Sequence, residues 1–234
     1  MAGSRRALLA GLASAWAGTA AEAAAPAPAP QLGPRWGMVV DLARCIGCQA
    51  CTVSCIMENA VPPDSLRTIV NTYEVTKDGV VGMAMLPRLC NHCADAPCLP
   101  VCPVGATFQR ADGIVVVDSD RCVGCAYCVQ ACPYDARFIN HETNKADKCT
   151  FCAHRVDAGL LPACVESCVG GARIFGDLND PHSTVRQRLD AEPSAVLKPE
   201  AGTQPRVFYL HLDPLLSGKV EGTPTLWRPQ HEGA

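Results

Sequence analysis

The sixteen cysteines of this 234-residue chain fall into four groups of four, and none lies outside a group. The first and third groups share the spacing C-x2-C-x2-C-x3-C, the second lengthens one gap, and the fourth contains an eleven-residue loop. The groups are Cys45, Cys48, Cys51 and Cys55; Cys90, Cys93, Cys98 and Cys102; Cys122, Cys125, Cys128 and Cys132; and Cys149, Cys152, Cys164 and Cys168. Such regular spacing indicates that the thiols act together as ligands.

The triple run C-x2-C-x2-C predicts iron-sulfur clusters. Bacterial ferredoxins use this run for 4Fe-4S clusters, and in two-cluster members the fourth cysteine reaches the neighbouring cluster. We therefore expect the last cysteine of a group to lie on a short helix that points toward a second cluster. Pro103 and Pro133 directly follow such cysteines and would end that helix.

Two other uses of the thiols remain open at this stage. The pairs that begin at Cys90 and Cys149 could each belong to a zinc site of four thiolates, but the triple run does not suit a tetrahedral ion. A disulfide-stapled secreted domain fits the count, yet closely repeated C-x2-C pairs would each need partners elsewhere.

The composition agrees with a fold that a cofactor helps to hold together. Although 48% of the residues are hydrophobic, only 5% are aromatic, so large core side chains are scarce. The formal net charge is −3, without a block of like charges, which gives no sign of a nucleic-acid site or a polybasic membrane patch.

Residues 1–30 are predicted to be an export signal followed by an Ala/Pro linker. Arg5 and Arg6 precede an apolar run that ends at Ala21. This run is shorter than the roughly 20 residues that a membrane-spanning helix needs. The arginine pair indicates a twin-arginine signal, with a general secretory signal as the alternative. Because export in the folded state lets the thiols leave the cytoplasm already ligated, we expect a periplasmic protein at the outer face of the cytoplasmic membrane.

Short strands are expected beside the cysteine groups, at 37–42, 114–117, 137–139 and 173–175, with a further strand at 207–212. A hairpin turn is expected at 111–113 and a helix at 180–190. We therefore predict an α+β fold, a tandem, duplicated bacterial-ferredoxin-like arrangement over residues 36–178. Its modules are 45–55, 90–102, 122–132 and 149–168, and residues 179–234 form a C-terminal extension that is flexible or contacts a partner.

Several charged residues beside the cysteines could influence a cluster. Arg44, Arg121 and Lys148 each precede the first cysteine of a group, where a cation either tunes a cluster or is simply solvated. His92 and His154 could tune a cluster through a hydrogen bond or serve in packing.

Gly47 and Gly124 either let backbone N–H groups approach sulfur or form plain turns. No grouping of nucleophile, carboxylate and histidine is apparent in the sequence, so we predict no catalytic residue.

The order and spacing of the modules resemble the four-cluster iron-sulfur subunits of molybdenum bis-pterin oxidoreductases, and the intervening segments look like those of tetrathionate reductase iron-sulfur subunits. The segments that carry the resemblance are RCIGCQAC from Arg44, LPRLCNHC from Leu86, CPVGATFQRADGIVVVD from Cys102, RCVGCAYCVQACPYDARFINHET from Arg121, DKCTFCAHRVDAGLLPACVESCVGGARI from Asp147 and VFYLHLD from Val207.

The resemblance implies four 4Fe-4S clusters, with the first group paired to the fourth and the second to the third. The implied ligands are Cys45, Cys48, Cys51 and Cys168 for the first set; Cys55, Cys149, Cys152 and Cys164 for the second set; Cys90, Cys93, Cys98 and Cys132 for the third set; and Cys102, Cys122, Cys125 and Cys128 for the fourth set.

The resemblance also implies a non-catalytic subunit for anaerobic respiration. It would relay electrons from a membrane-integral quinol-oxidising subunit to a molybdopterin-containing catalytic subunit that reduces tetrathionate to thiosulfate, and would meet the membrane only through its partner. The same role in a polysulfide, thiosulfate, arsenate or nitrite reductase is one alternative. A free-standing soluble polyferredoxin is the other.

Overall fold

The computed structural model describes residues 33–62, 64–77 and 79–216. The predicted export signal lies outside the described residues. Within the described ranges the chain forms ten strands and five α-helices. In chain order they are β1 Trp36–Asp41, α1 Ala50–Asn59, β2 Thr68–Lys77, β3 Val80–Leu89, β4 Thr107–Gln109, β5 Val115–Val117, α2 Tyr127–Gln130, β6 Phe138–Asn140, β7 Lys145–Asp147, α3 Ala153–Asp157, α4 Ala163–Glu166, β8 Arg173–Asp177, α5 Thr184–Ala191, β9 Ser194–Ala195 and β10 Val207–Leu210.

The largest sheet has the strand order β8-β1-β10-β9, with β1 antiparallel to β8 and parallel to β10. Strand β1 is buried on both faces because alternate residues serve two different clusters of apolar side chains. Met38 and Val40 pack into the core that contains the cysteines, whereas Val39 packs with Val185 of α5. The sheet therefore separates the cysteine-rich core from α5.

The C-terminal segment takes part in this sheet up to β10. Val207, Tyr209 and Leu210 are completely buried, and the Tyr209 hydroxyl donates to the carbonyl of Pro87 at 2.9 Å. The sequence-based boundary between 178 and 179 therefore does not coincide with a division in the fold, because β10 supplies the parallel neighbour that β1 needs. The predicted strand at 207–212 is present as β10, and residues 217–234 lie outside the described part of the chain.

Three antiparallel hairpins, β2–β3, β4–β5 and β6–β7, lie between the cysteine groups. The strands expected at 114–117, 137–139 and 173–175 correspond to β5, β6 and β8. The turn expected at 111–113 joins β4 to β5, and Gly113 adopts a φ of 86° there. The helix expected at 180–190 begins later, at Thr184.

Cysteines occupy much of the interior that aromatic side chains fill in other proteins. Ten of the sixteen are buried, four are half-buried, and two, Cys48 and Cys125, are exposed. No helix among the described residues has the length and apolar character needed to cross a membrane.

Candidate metal centre

Helices α1 and α4 each carry thiols of two different predicted sets. Cys51 and Cys55 lie one helical turn apart on the buried side of α1, and Cys164 and Cys168 have the same separation in and just after α4. The two helices pack against each other. Each helix therefore offers one thiol to the first set and one to the second set, which is the consequence of the C-x3-C spacing expected from the sequence.

The four thiols of the first set line one cavity together with Arg173. Burial raises the pKa of Cys45; the backbone N–H of Gly47 opposes this shift, and the thiol of Cys51 adds to it. Gly47 has a φ of 71°, so the expected approach of its backbone N–H to a ligand sulfur is confirmed.

The thiols of the second set lie close enough to affect one another's ionisation. Burial raises the pKa of Cys55 to about 12, and the thiols of Cys164 and Cys152 contribute to the shift. Burial likewise raises the pKa of Cys149 well above its usual value, with Cys55 and Cys164 adding to it. The amide of Asn59 donates toward two of these sulfurs, at 3.6 Å to Cys55 and 3.7 Å to Cys152.

The third set shows the same mutual influence. Burial raises the pKa of Cys93 to about 12; the hydroxyl of Thr203 opposes the shift by donating to this sulfur, whereas the thiols of Cys90, Cys132 and Cys98 add to it. The third set thus draws one member, Cys132, from a different cysteine group.

Backbone contacts surround the fourth set. The N–H of Ala106 donates to the sulfur of Cys102 at 3.2 Å, and that of Ala146 donates to the sulfur of Cys122 at 3.4 Å. Burial raises the pKa of Cys102, but hydrogen bonds from the backbone of residues 104–107 outweigh it and lower the pKa overall. The Arg121 guanidinium donates to the carbonyl of Val104 at 3.2 Å, which joins the loop after Cys102 to the start of the third group.

Gly124, within the third group, has a φ of 71° and a close backbone neighbour. A Cβ atom at this position would lie 2.3 Å from the carbonyl oxygen of Asn144. Glycine is needed here for two reasons, since a side chain would be strained by the left-handed backbone and would also collide with that oxygen.

The four sets follow one another in the order of their numbers. The thiol of Cys51, in the first set, is among the groups that raise the pKa of Cys164 in the second set, which burial raises to about 11. Cys90 of the third set acts in the same way on Cys149 of the second set.

The third and fourth sets are joined through Arg137, which interacts with both Cys98 and Cys128. The first and fourth sets are therefore the two ends of the series.

The thiol geometry bears on the two alternatives raised by the sequence. None of the sixteen cysteines forms a disulfide, which contradicts the disulfide-stapled alternative. Among the described residues no three His, Cys, Asp or Glu side chains stand close enough to hold one metal ion, as a tetrahedral zinc site requires. Thiols spread around a larger inorganic core fit this spacing better.

Buried polar atoms in the second cysteine group also fit a cluster. The Nδ1 atom of His92 accepts a hydrogen bond from the N–H of Val115 at 3.1 Å, so the proton of the neutral ring lies on Nε2. That Nε2 atom and both amide atoms of Asn91 are buried without a hydrogen-bond partner among the described residues. Since buried donors are nearly always satisfied, they suit a site whose sulfur atoms accept hydrogen bonds. His154, in contrast, is exposed and lies 2.8 Å from Glu58.

Of the three cations that precede cysteines, only Lys148 is buried; Arg44 and Arg121 are exposed. Burial lowers the pKa of Lys148, and the thiol of Cys90 opposes that shift. Two further buried cations, Arg137 and Arg173, are not singled out by the sequence analysis. The available signal was their shared position, five residues after the last cysteine of the third and fourth groups.

Comparison with known proteins gives the family. Residues 44–106 and residues 81–178 match two family models, each described as a 4Fe-4S dicluster domain. Over 200 residues, 83% of this chain and 80% of the relative, the sequence is 64% identical to the B subunit of tetrathionate reductase of Salmonella typhimurium. The chain belongs to this 4Fe-4S subunit family.

Other members of this 4Fe-4S subunit family are more distant. The B subunit of tetrathionate reductase of Archaeoglobus fulgidus is 43% identical over 77% of this chain and 84% of the relative. A putative dimethyl sulfoxide reductase iron-sulfur protein, the B subunit of Halobacterium salinarum, is 41% identical over 75% of this chain and 79% of the relative.

Membership of the family confirms the predicted ferredoxin-type fold, the 4Fe-4S cofactors and the role of electron-transfer subunit. The assignment of individual cysteines to four clusters stays a prediction, with which the grouping of the thiols agrees.

Proposed function

We propose that this chain relays electrons to a molybdenum catalytic subunit that reduces tetrathionate to thiosulfate. The observation that carries the proposal is the 64% identity to the B subunit of tetrathionate reductase, against 41% for the relative named for dimethyl sulfoxide. The four consecutive thiol sets support the relay itself.

Bound 4Fe-4S clusters supply one-electron transfer, and with four cysteine ligands each they leave no open position for a substrate. The protein's own contribution is to hold the ligands in order and to keep water away from them. Ten buried thiols do both, because their surroundings are apolar side chains and backbone rather than solvent. Backbone N–H groups, such as those of Ala106 and Ala172, donate to ligand sulfurs at 3.2 Å and stabilise their thiolate form.

Electrons enter and leave at the two ends of the series in this proposal. The exposed Cys48 belongs to the first set and the exposed Cys125 to the fourth. Ile46 and Val123, at equivalent positions beside them, are each 62% exposed. Apolar side chains beside an exposed ligand suit a protein interface, so we assign one end to the catalytic subunit and the other to a membrane-integral quinol-oxidising subunit.

The proposed location is the periplasm, at the outer face of the cytoplasmic membrane. The support is the Arg5-Arg6 pair and the short apolar run in the sequence of residues 1–30. Sixteen thiols that form no disulfide in the fold are consistent with export after the clusters have been inserted.

The test is to purify the chain anaerobically together with its large partner subunit and to supply electrons from a reduced quinol analogue. We expect about 16 Fe and 16 sulfide per chain, from four 4Fe-4S clusters, and electron-dependent reduction of tetrathionate. The same preparation is assayed with dimethyl sulfoxide, polysulfide and arsenate. Faster turnover of one of these acceptors would overturn the tetrathionate assignment, and a metal content near four zinc ions would overturn the relay.

A further inference from the structure

Three buried cations lie at the three junctions between consecutive thiol sets. Arg173 lies between the first and second sets, Lys148 between the second and third, and Arg137 between the third and fourth. They are only 3%, 1% and 4% exposed, respectively. We refer to these three residues as the junction cations.

Arg173 touches both sets at its junction. Its Nη1 atom lies 3.8 Å from the sulfur of Cys164, a member of the second set, and its Nη2 atom donates to the Thr68 hydroxyl at 2.8 Å. It also lines the cavity formed by the four thiols of the first set. Burial lowers its pKa, but the thiols of Cys164 and Cys51 outweigh burial and raise the pKa overall.

Arg137 has the same surroundings one repeat earlier. Its Nη2 atom donates to the sulfur of Cys98 at 3.0 Å, and its Nη1 atom donates to the Thr107 hydroxyl at 3.4 Å. It also interacts with Cys128, in the fourth set. Each junction arginine therefore combines one hydroxyl partner, one ligand sulfur and thiols of two sets.

Lys148 occupies the central junction. Its Nζ atom donates to the carbonyl of Cys149 at 2.7 Å and to the carbonyl of Val115. The thiols of Cys90 and Cys149, which belong to different sets, both act on its ammonium group. The carbonyl contacts fix the side chain between the two sets.

No carboxylate among the described residues pairs with any junction cation. Burying a charge without a counter-ion is strongly unfavourable. The negative charge that compensates these cations must therefore come from the ligand thiolates and the inorganic cores they hold. A cation beside such a core favours its reduced form, which carries one more negative charge.

We propose that each junction cation raises the reduction potentials of the two clusters that flank it, so that consecutive clusters are tuned in pairs. The proposal rests on the four-cluster relay described above. It makes Arg137, Lys148 and Arg173 positioning residues for charge, without contact to any substrate.

The experiment is a reductive titration, followed by electron paramagnetic resonance, of the anaerobically purified full-length complex. The variants are Arg137→Gln, Lys148→Met and Arg173→Gln. The matched controls are Arg44→Gln and Arg121→Gln, since these arginines also adjoin ligand cysteines but are exposed. Iron and sulfide are counted for every variant.

Each junction variant is expected to shift the reduction equilibrium of two of the four clusters by about tenfold, which is about 59 mV for a one-electron couple. The other two clusters and both controls should change by less than about threefold, because solvent screens exposed charges. The pairs affected by Arg137→Gln and Arg173→Gln should have no cluster in common. Fully loaded variants with unchanged potentials, or an equal shift in all four clusters, would overturn the proposal.

Loss of iron from a glutamine variant is resolved with Arg137→Lys and Arg173→Lys, which keep the charge and lose the planar guanidinium. Loaded lysine variants with near-native potentials support the tuning role, whereas loss of iron from these variants as well would show a structural role and overturn it. A wild-type complex with four titratable clusters that fails to reduce tetrathionate refutes the proposed acceptor only. A wild-type chain without iron refutes the relay itself.

Discussion

The hydroxyl groups of Tyr134 and Thr203 lie 2.5 Å apart in the buried interior, although 69 residues separate them in the sequence. Thr203 also donates to the sulfur of Cys93, so Tyr134 is the donor in the shared hydrogen bond. The segment after α5 therefore reaches a ligand of the third set and takes part in the metal centre.

Replacing Thr203→Val is expected to weaken the third set, because it removes a donor from the Cys93 sulfur and leaves the Tyr134 hydroxyl buried without its acceptor. The loss should be about 1–3 kcal/mol of stability. Thermal melting of the loaded protein and the rate of iron release to a chelator measure it. Tyr134→Phe is the matched control and should cost less, since the contact between Thr203 and Cys93 survives. Equal effects from both variants would contradict this hydrogen-bond network.

Exchanging Cys168→Ser is expected to damage the cluster of the first set, whose other ligands lie more than a hundred residues earlier in the chain. The cavity that Cys168 shares with Cys45, Cys48 and Cys51 is the physical reason. Electron paramagnetic resonance of the reduced variant should lose one signal, and Cys164→Ser should remove a different one. If both substitutions abolished the same signal, the division between the first and second sets would be incorrect.

Gly124→Ala is expected to impair the fourth set more than Gly79→Ala impairs any set. Both glycines have positive φ, 71° and 78°, so both substitutions carry a backbone cost of roughly 1–2 kcal/mol. Only at Gly124 would the added Cβ also collide with a backbone oxygen, whereas nothing lies within 4 Å at Gly79. Iron content and apparent melting temperature measure the difference, and similar losses in the two variants would argue against the collision.

Ile46→Asp and Val123→Asp should each weaken the binding of one partner subunit while the iron content stays intact. The reason is that a carboxylate at an apolar interface must lose its hydration. Co-purification of each partner with the variant chain is the measurement. Val81→Asp is the control, since Val81 is also 62% exposed but lies on the β2–β3 hairpin. Loss of both partners from every variant, or of neither, would contradict the assignment of the two ends.

Much of the metal centre follows from the sequence because ligand spacing is local. The interval between Cys51 and Cys55 is one helical turn, so the division of each group between two sets is expressed in a few residues. The positions of Arg137 and Arg173 are a different matter, since their contacts with Cys98 and Cys164 depend on how strands and helices meet. Arg44 shows the converse, because adjacency to a ligand in the sequence does not turn its side chain inward.

The fold was less accessible than the ligands. The β2–β3 hairpin is not among the strands expected from the sequence, although Tyr73 and Val75 alternate with polar residues and an Asp-Gly pair follows at 78–79. The role of β10 could not be inferred from its apolar pattern, because pairing with β1 joins residues that lie about 170 positions apart. A short apolar run indicates that it will be buried but does not identify its neighbour.

The parallel pairing of β1 with β10 also constrains when the molecule can finish folding. Strand β1 leads directly into the first ligand cysteines, yet its neighbour spans 207–210. A ribosome must therefore release nearly the whole chain before this sheet can close around the earliest-made cysteines. Maturation is in consequence a post-translational event, and an interrupted chain would be left with an open sheet edge.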